Sequence, residues 1–183
     1  TKKTDQNVLA LGFRAFPNNY KDEPTLKILS VILGGSMSSR LFIELRERRG
    51  LAYFARTNTE LYTDSGYIAA YAGVSKDKLE ESIKVILNEF QKMKETLVTP
   101  AELKKAKDLI AGRLIVSMEQ SDDYSSWYGQ QFVFKKEFIS PEERLKKLKK
   151  VSATDIKKLA KKLFVNDSLN LSFIVEVKDE KKF

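Results

Sequence analysis

The sequence predicts an α+β domain in which a mainly antiparallel sheet packs against several helices. Strand-like stretches lie near the start of the chain, in one hairpin and at the end, and apolar residues recur at helical spacing between them. Of the 183 residues, 42% are hydrophobic, which is enough for the core of one domain. We therefore expect residues 1–183 to form a single domain, with loose ends at 1–6 and 178–183.

The chain opens with a predicted strand and helix. Residues 7–15 are apolar on both sides, which predicts a strand that is covered on both faces. Residues 22–33 carry apolar side chains at helical spacing. Gly34-Gly35 follows, and we expect it to end this helix because glycine adopts the left-handed conformation at little steric cost.

A short helix and a hairpin come next. Ser36–Ser39 offers several N-cap candidates for a helix that is predicted to end near Arg49-Gly50. Residues 52–61 and 66–74 are rich in aromatic and β-branched side chains. The turn residues between them complete the signature of a β-hairpin.

The second half of the chain is predicted to be mostly helical. Residues 76–95 carry a regular apolar stripe, and Thr99-Pro100-Ala101-Glu102 combines an N-cap, a proline at N1 and a capping-box glutamate. Ser140–Glu143 and Ser152–Asp155 open two further helices, and Leu169 to Val177 is strand-like. The predicted order is β-α-α-β-β-α-α-α-α-α-β. The first and last strands are both apolar, so we expect them to meet in one sheet.

Tyr124, Trp127, Tyr128 and Phe132 lie at helical spacing on a further predicted helix. Exposed aromatic rings in such a row form a stacking platform, whereas buried ones contribute to a core. Aromatic residues at this spacing usually belong to the core, and we predict the same for these four.

The absence of histidine and cysteine excludes several classes of chemistry. Catalytic zinc sites use His or Cys ligands, and Ser–His and Cys–His nucleophiles need one of these residues. The sequence therefore predicts no metal site in this chain. It also contains no secretory or membrane-spanning segment. The chain begins with Thr1 rather than Met, which is compatible with a segment of a longer protein.

The formal net charge of +8 is compatible with the hypothesis that the chain binds nucleic acid or a membrane surface. Residues 145–150 and 156–163 are basic amphipathic patterns that suit an anionic membrane or nucleic acid. We interpret them instead as two surface helices whose lysine stems cover the edge of the core. We expect no nucleic-acid partner and no membrane span.

Arginines crowd the predicted helix after the Gly-Gly turn, at positions 40, 46, 48 and 49, with Glu44 and Glu47 among them. The simplest interpretation is a solvated helix face with local ion pairs. Arg46, however, lies seven residues before Tyr53, across a tight corner at Gly50-Leu51. A guanidinium and a phenol in one space are hydrogen-bond donors suited to peptide carbonyls or an oxyanion. From the residues alone, both interpretations stay open.

The stretch from Leu33 to Tyr53 resembles the C-terminal half of the pitrilysin/insulinase family of zinc peptidases. It combines a Gly-Gly corner, a Ser-Arg-Leu-Phe helix start, a Leu-Arg pair and a Gly-Leu-Ala-Tyr segment at that family's spacing. Leu11-Gly12-Phe13, Thr99–Leu103 and Val151–Ile156 extend the resemblance over nearly the whole chain.

The resemblance implies the metallohydrolase-type α+β fold of mitochondrial processing peptidase. In that family, zinc is held in the N-terminal half by an inverted H-x-x-E-H motif and a distal glutamate. This chain has no histidine, so the resemblance implies that it binds no cofactor itself. Zinc is expected in a partner, the N-terminal half, either in the same polypeptide or in a separate subunit. A peptide substrate is implied as well, and a homodimer is left open.

The resemblance also implies roles for Arg46 and Tyr53. The family's Arg, with a Tyr seven residues later, reaches from the chamber wall to bind substrate carbonyls and steady the developing oxyanion. This chain is then the substrate-binding, chamber-closing domain of a zinc metalloendopeptidase, inactive in isolation. The alternative is a catalytically inactive homologue that acts as a structural subunit.

Overall fold

The computed structural model describes residues 7–18, 20–134 and 138–174. The elements follow the predicted order, and their bounds are β1 Asn7–Ala15, α1 Glu23–Gly34, α2 Arg40–Phe42 with a π-helical continuation Ile43–Arg48, β2 Ala52–Leu61, β3 Gly66–Val74, α3 Leu79–Glu95, α4 Pro100–Val116, α5 Ser121–Phe134, α6 Pro141–Lys150, α7 Ala153–Leu163 and β4 Leu169–Ile174. The predicted loose ends at 1–6 and 178–183 lie outside the described residues.

The four strands form one antiparallel sheet in the order β2-β3-β1-β4. The first and last strands are neighbours, with Val8 opposite Ile174 and Phe13 opposite Leu169. The prediction that the first and last strands meet in one sheet is confirmed. The predicted α+β class is confirmed with it.

The core lies on one side of the sheet. Phe13 of β1 packs against Phe90 of α3 and against Phe164, which follows α7, with ring centroids 5.1 and 4.9 Å apart. Phe90 and Phe164 also contact each other at 4.6 Å. This three-ring cluster joins the sheet to two helices, and aromatic pairs at such distances contribute about 0.5–1.5 kcal/mol beyond the area that they bury.

The prediction that β1 is covered on both faces is wrong. Leu9, Leu11 and Phe13 are buried beneath the helices, whereas Val8 and Ala10 on the opposite face are only partly buried. The same face also carries the partly buried Gly12 and the exposed Arg14. A run of apolar residues does not reveal whether both faces have a neighbour.

Three helices begin with the predicted capping boxes. The side-chain oxygens of Thr99, Ser140 and Ser152 each accept a hydrogen bond from the backbone N–H three residues later, and the acidic side chain at that third position accepts one in return. These reciprocal bonds satisfy donors that a helix N-terminus leaves free. They fix where α4, α6 and α7 start.

Gly34-Gly35 lies at the end of α1 as predicted, but the reason for glycine there is not the predicted left-handed conformation. Gly35 has φ −85° and ψ −6°, so the end of α1 is not left-handed. Gly34 is needed for close packing instead, because a Cβ there would overlap the backbone nitrogen of Thr57 on β2. At the same contact, the Ser30 hydroxyl donates to Thr57 Oγ1 at 3.1 Å.

The aromatic residues of α5 are not part of the core, which corrects the prediction. None of the described side chains of α5 is buried, and Tyr124 and Phe132 are 40% and 63% exposed. Trp127 anchors the helix locally, since its Nε1–H donates to the Ile139 carbonyl at 2.8 Å. The spacing of the aromatic residues predicted the helix correctly, but it did not reveal that no other element buries their side chains.

The basic helices α6 and α7 are surface helices, as predicted. Leu148 of α6 and Ile156, Leu159 and Leu163 of α7 are buried in the core, with the lysines around them mostly at the surface. Their apolar faces therefore pack in the core of this domain. Among the described residues, no helix is both long and apolar enough to cross a membrane.

Candidate functional site

The corner between α2 and β2 brings Arg46 and Tyr53 together through three departures from regular structure. The first is the π-helical turn Ile43–Arg48, which contains Arg46. π-Helical turns re-aim side chains and occur frequently at functional sites. The backbone N–H of Leu51 closes the corner by donating to the Leu45 carbonyl at 2.7 Å.

Gly50 is the second departure. Its φ of +58° is the left-handed conformation, the only positive glycine φ in the described chain. A Cβ at this position would meet nothing within 4 Å, so the backbone conformation, and not a lack of space, calls for glycine. The left-handed residue turns the chain from the helix into β2.

A β-bulge at Tyr53 is the third departure. Ala52 lies opposite Val74 and Phe54 lies opposite Gly73, so Tyr53 is an additional residue in β2. Bulges bend a strand and redirect the side chain that they insert. The Tyr53 side chain is 58% exposed.

Arg46 and Tyr53 are in direct contact. Arg46 Nη1 donates a hydrogen bond of 3.0 Å to the Tyr53 carbonyl oxygen, and the Arg46 guanidinium lies 5.2 Å from the centre of the Phe42 ring. These contacts hold the guanidinium in place while Arg46 remains exposed. A guanidinium has five N–H donors, so most of them remain available to a ligand. The contact of Phe42 with Arg46 was not predicted, although their i, i+4 spacing was a visible signal.

The other arginines of this segment have carboxylate partners. Arg48 and Arg49 both pair with Glu44, at 2.6 and 3.5 Å, as the interpretation of a solvated helix face predicts. Arg40 reaches away from the segment to Glu102 at the start of α4, at 2.7 Å. Arg46 alone in this group turns toward the first residues of β2.

Glu102 links the site to the helical layer. Its carboxylate accepts hydrogen bonds from Arg40 and from the backbone N–H of Thr99. Burial by itself raises the pKa of Glu102, but the bonds from Arg40 and Thr99 outweigh it and lower that pKa from 4.5 to about 2. Glu102 is therefore ionised at neutral pH and holds α2 against α4.

A cavity of about 630 Å³ opens between α1, α4, α5 and α6, away from the corner. Apolar side chains such as Ile110 and Trp127 line it. Its two arginines are already engaged, because Arg113 donates to the Gly35 carbonyl at 2.9 Å and Arg144 pairs with Glu23 at 2.6 Å. Neither Arg46 nor Tyr53 lines this cavity.

The donor set of this chain does not fit zinc. The sequence has neither histidine nor cysteine. Over residues 7–18, 20–134 and 138–174, Asp and Glu form no group of three that could hold a metal ion. Carboxylates alone are also unusual ligands for a catalytic zinc ion. What the corner offers chemically is hydrogen-bond donation, from a guanidinium and a phenol.

Known proteins share the sequence pattern and the fold of this chain. Residues 1–110 match the model of the Peptidase M16 inactive domain. A zinc protease of Rickettsia felis is 34% identical over 183 residues, all of this chain and 44% of the relative. Zinc protease YmxG of Bacillus subtilis is 31% identical over 166 residues, 91% of this chain and 41% of that protein. The chain thus spans less than half the length of these relatives.

Solved structures share the fold. A protease from Helicobacter pylori superposes with a TM-score of 0.86 at 24% identity, over 94% of this chain and 42% of that one. A peptidase M16 inactive domain from Pseudomonas fluorescens gives a TM-score of 0.84 at 20% identity, over 93% and 41% of the two chains. The protein is therefore an α+β domain with the fold of these structures. It belongs to the Peptidase M16 inactive domain family, and the family resemblance of its motifs is confirmed.

Proposed function

We propose that this chain is the substrate-binding, chamber-closing domain of a zinc metalloendopeptidase. The observation that carries the proposal is the hydrogen bond from the Arg46 guanidinium to the Tyr53 backbone carbonyl, at a corner where both side chains are exposed. The zinc proteases that it resembles are more than twice its length. The proposed partner is accordingly a zinc-binding N-terminal half, in the same polypeptide or as a separate subunit.

The proposed role of the pair is to bind the peptide near the bond that is cleaved. The Arg46 guanidinium is planar, and its N–H groups donate to a substrate carbonyl. The Tyr53 hydroxyl donates to an oxygen that gains negative charge as the peptide carbon becomes tetrahedral. Both groups orient the substrate and stabilise charge. Activation of the water belongs to the other half.

The test is peptide turnover by the assembled protein, this chain together with its zinc-binding half. Arg46→Ala and Tyr53→Phe are each expected to lower kcat/KM by about 100-fold, the usual effect of losing one preorganised donor. Arg48→Ala is the matched control, because Arg48 is an exposed arginine on the same turn that pairs with Glu44. It is expected to change turnover by less than about two-fold.

Two outcomes contradict the proposal. If Arg46→Ala and Tyr53→Phe leave turnover unchanged, the pair has no part in catalysis and the chain is better described as a structural subunit. If the isolated chain binds one zinc ion, and a chelator removes the metal together with peptidase activity, the division of labour between two halves is wrong. Metal analysis and assay of the purified chain test the second outcome directly.

A further inference from the structure

Two of the eight arginines of the chain, Arg14 and Arg56, lack a polar partner among the described residues. The other six form ion pairs with carboxylates or donate to backbone carbonyls; they are Arg40, Arg46, Arg48, Arg49, Arg113 and Arg144. Arg14 and Arg56 are exposed, and no hydrogen bond or ion pair involves either of them in the described chain. Both lie on the same surface, the face of the sheet opposite the helices.

The strand register defines this open sheet face. Residues paired across a sheet project to the same side. Arg56 of β2 lies opposite Tyr71 of β3, which lies opposite Ala10 of β1. Arg14 lies opposite Tyr67. Between these rows are small residues, and the face is therefore a shallow surface with aromatic rings and guanidinium groups standing above it.

Arg56 is held in place by two aromatic rings. Its guanidinium lies 5.6 Å from the centre of the Phe54 ring and 5.9 Å from that of Tyr71. The Phe54 ring itself covers Gly73, where a Cβ would approach the ring edge to 2.5 Å. Stacking restricts the side chain without using its N–H donors, so less entropy is lost when a ligand accepts from them.

Arg14 lies opposite Tyr67, and the phenol of Tyr67 is neutral. Burial and a hydrogen bond with Tyr71 raise the pKa of Tyr67 to about 12, so its phenol does not become an anion at physiological pH. One carboxylate, Glu60, lies across Tyr67 from Arg14. Glu60 accepts a hydrogen bond from Asn58 at 2.9 Å and does not pair with either arginine.

We propose that the open sheet face binds acidic side chains of an extended peptide, with Arg56 as the principal contact and Arg14 as a second one. The proposal rests on the proposed function, since the peptide is the substrate that Arg46 and Tyr53 hold. Arg56 lies three residues beyond Tyr53 on β2, about 10 Å along the strand. Neither guanidinium has a polar partner in the described ranges, and both lie beside tyrosines, so they complement carboxylates in charge and in hydrogen bonding.

The experiment measures peptide binding by the 183-residue chain. Two ten-residue extended peptides are compared, one with two glutamates four positions apart and one with glutamines in their place. Affinities come from chemical-shift titrations that include the arginine Nε–H resonances, so that millimolar binding is detected. The glutamate peptide is expected to bind about five-fold more tightly, and the ratio is expected to fall at high salt.

Arg56→Gln is expected to bring the affinity ratio close to one. The matched control is Lys105→Gln, which removes the same charge from an exposed position on α4 and is expected to preserve the ratio. Arg46→Ala is expected to weaken both peptides equally and so to leave the ratio unchanged. A defect in Arg46→Ala with no effect of Arg56→Gln would retain the proposed function and overturn this inference.

Three further outcomes overturn the inference. The first is equal affinity for the two peptides. The second is an absence of shifts at Arg56 and Tyr71 at millimolar peptide. The third is shifts on this face that depend on protein concentration without peptide, because these would assign the surface to a second copy of the chain.

Discussion

Arg40 on α2 donates two charge-assisted hydrogen bonds to Glu102 on α4, with Nε–Oε1 and Nη2–Oε2 distances of 2.7 and 3.1 Å. The same carboxylate completes the capping box of α4 by accepting the Thr99 N–H at 2.9 Å. One side chain therefore sets the start of α4 and fixes α2, whose π-helical continuation carries Arg46.

The Arg40–Glu102 pair is expected to contribute measurably to stability. Glu102→Gln keeps a side chain that can still complete a capping box but removes the charge that Arg40 binds. We expect a loss of about 1–2 kcal/mol in the free energy of unfolding, the range for hydrogen bonds to charged groups. Urea denaturation measures it. Asp108→Asn on the same helix breaks the exposed pair with Lys104 and is expected to change stability by less than about 0.5 kcal/mol. Equal effects of the two changes would contradict this assignment.

This carboxylate also predicts a pH dependence. The pKa of Glu102 is lowered from 4.5 to about 2 in the folded chain. The group therefore contributes its full stability above pH 4.5 and loses it as pH falls through the folded value. The stability difference between wild type and Glu102→Gln is expected to shrink between those two pH values. Comparison of the two proteins cancels the contribution of other acidic groups. A difference that stays constant down to about pH 2 would rule out ionisation of Glu102 as its source.

Replacement of glycine by alanine is expected to have opposite effects on stability at Gly50 and at Gly112. Gly50→Ala places an L-residue at φ +58° and is expected to destabilise the chain by about 1–2 kcal/mol. Gly112→Ala, inside α4 and with nothing within 4 Å of the new Cβ, is expected to stabilise it by about 0.5–1 kcal/mol. Thermal and urea unfolding of both variants test the prediction. A neutral Gly50→Ala would show that the corner tolerates other conformations.

Substitution of Gly34 tests how closely α1 packs against β2. Gly34→Ala gains helix propensity of up to about 1 kcal/mol but drives a methyl group into the Thr57 backbone, where overpacking costs about 1–3 kcal/mol. The expected net result is a loss of up to about 2 kcal/mol in unfolding free energy. Gly129→Ala on exposed α5 has no contact to disturb and serves as control. A stabilising Gly34→Ala would mean that the two elements separate easily.

Local patterns in the sequence were sufficient for the element order and for most element bounds. Alternation and helical spacing are properties of a few neighbouring residues, and capping boxes such as Thr99–Glu102 mark helix starts directly. Local patterns do not reveal which element, if any, packs against each face of a helix or strand. The exposed rings of α5 and the open face of β1 were assigned wrongly for that reason, because an apolar side chain looks the same whether or not another element covers it.

The site was predicted in part, for a similar reason. The spacing of Arg46 and Tyr53 across a tight corner is local, so both residues were identified. Arg40 and Glu102 lie 62 residues apart, and nothing in either segment indicates that they meet. The stacking of Arg56 between Phe54 and Tyr71 likewise depends on pairing between strands. The π-helical turn and the bulge at Tyr53 are departures from regular geometry that arise from tertiary packing and leave no simple pattern.

The pairing of β1 with β4 also governs when the domain can fold during its synthesis. Val8 is translated near the beginning and its neighbour Ile174 near the end of the 183 residues. At about 5–20 residues per second, β1 waits on the order of ten seconds or more for that neighbour. Phe164, which completes the aromatic cluster with Phe13, is also made late. Until then the nascent chain exposes an unpaired strand edge and apolar side chains, and its core closes only after translation of the domain is almost complete.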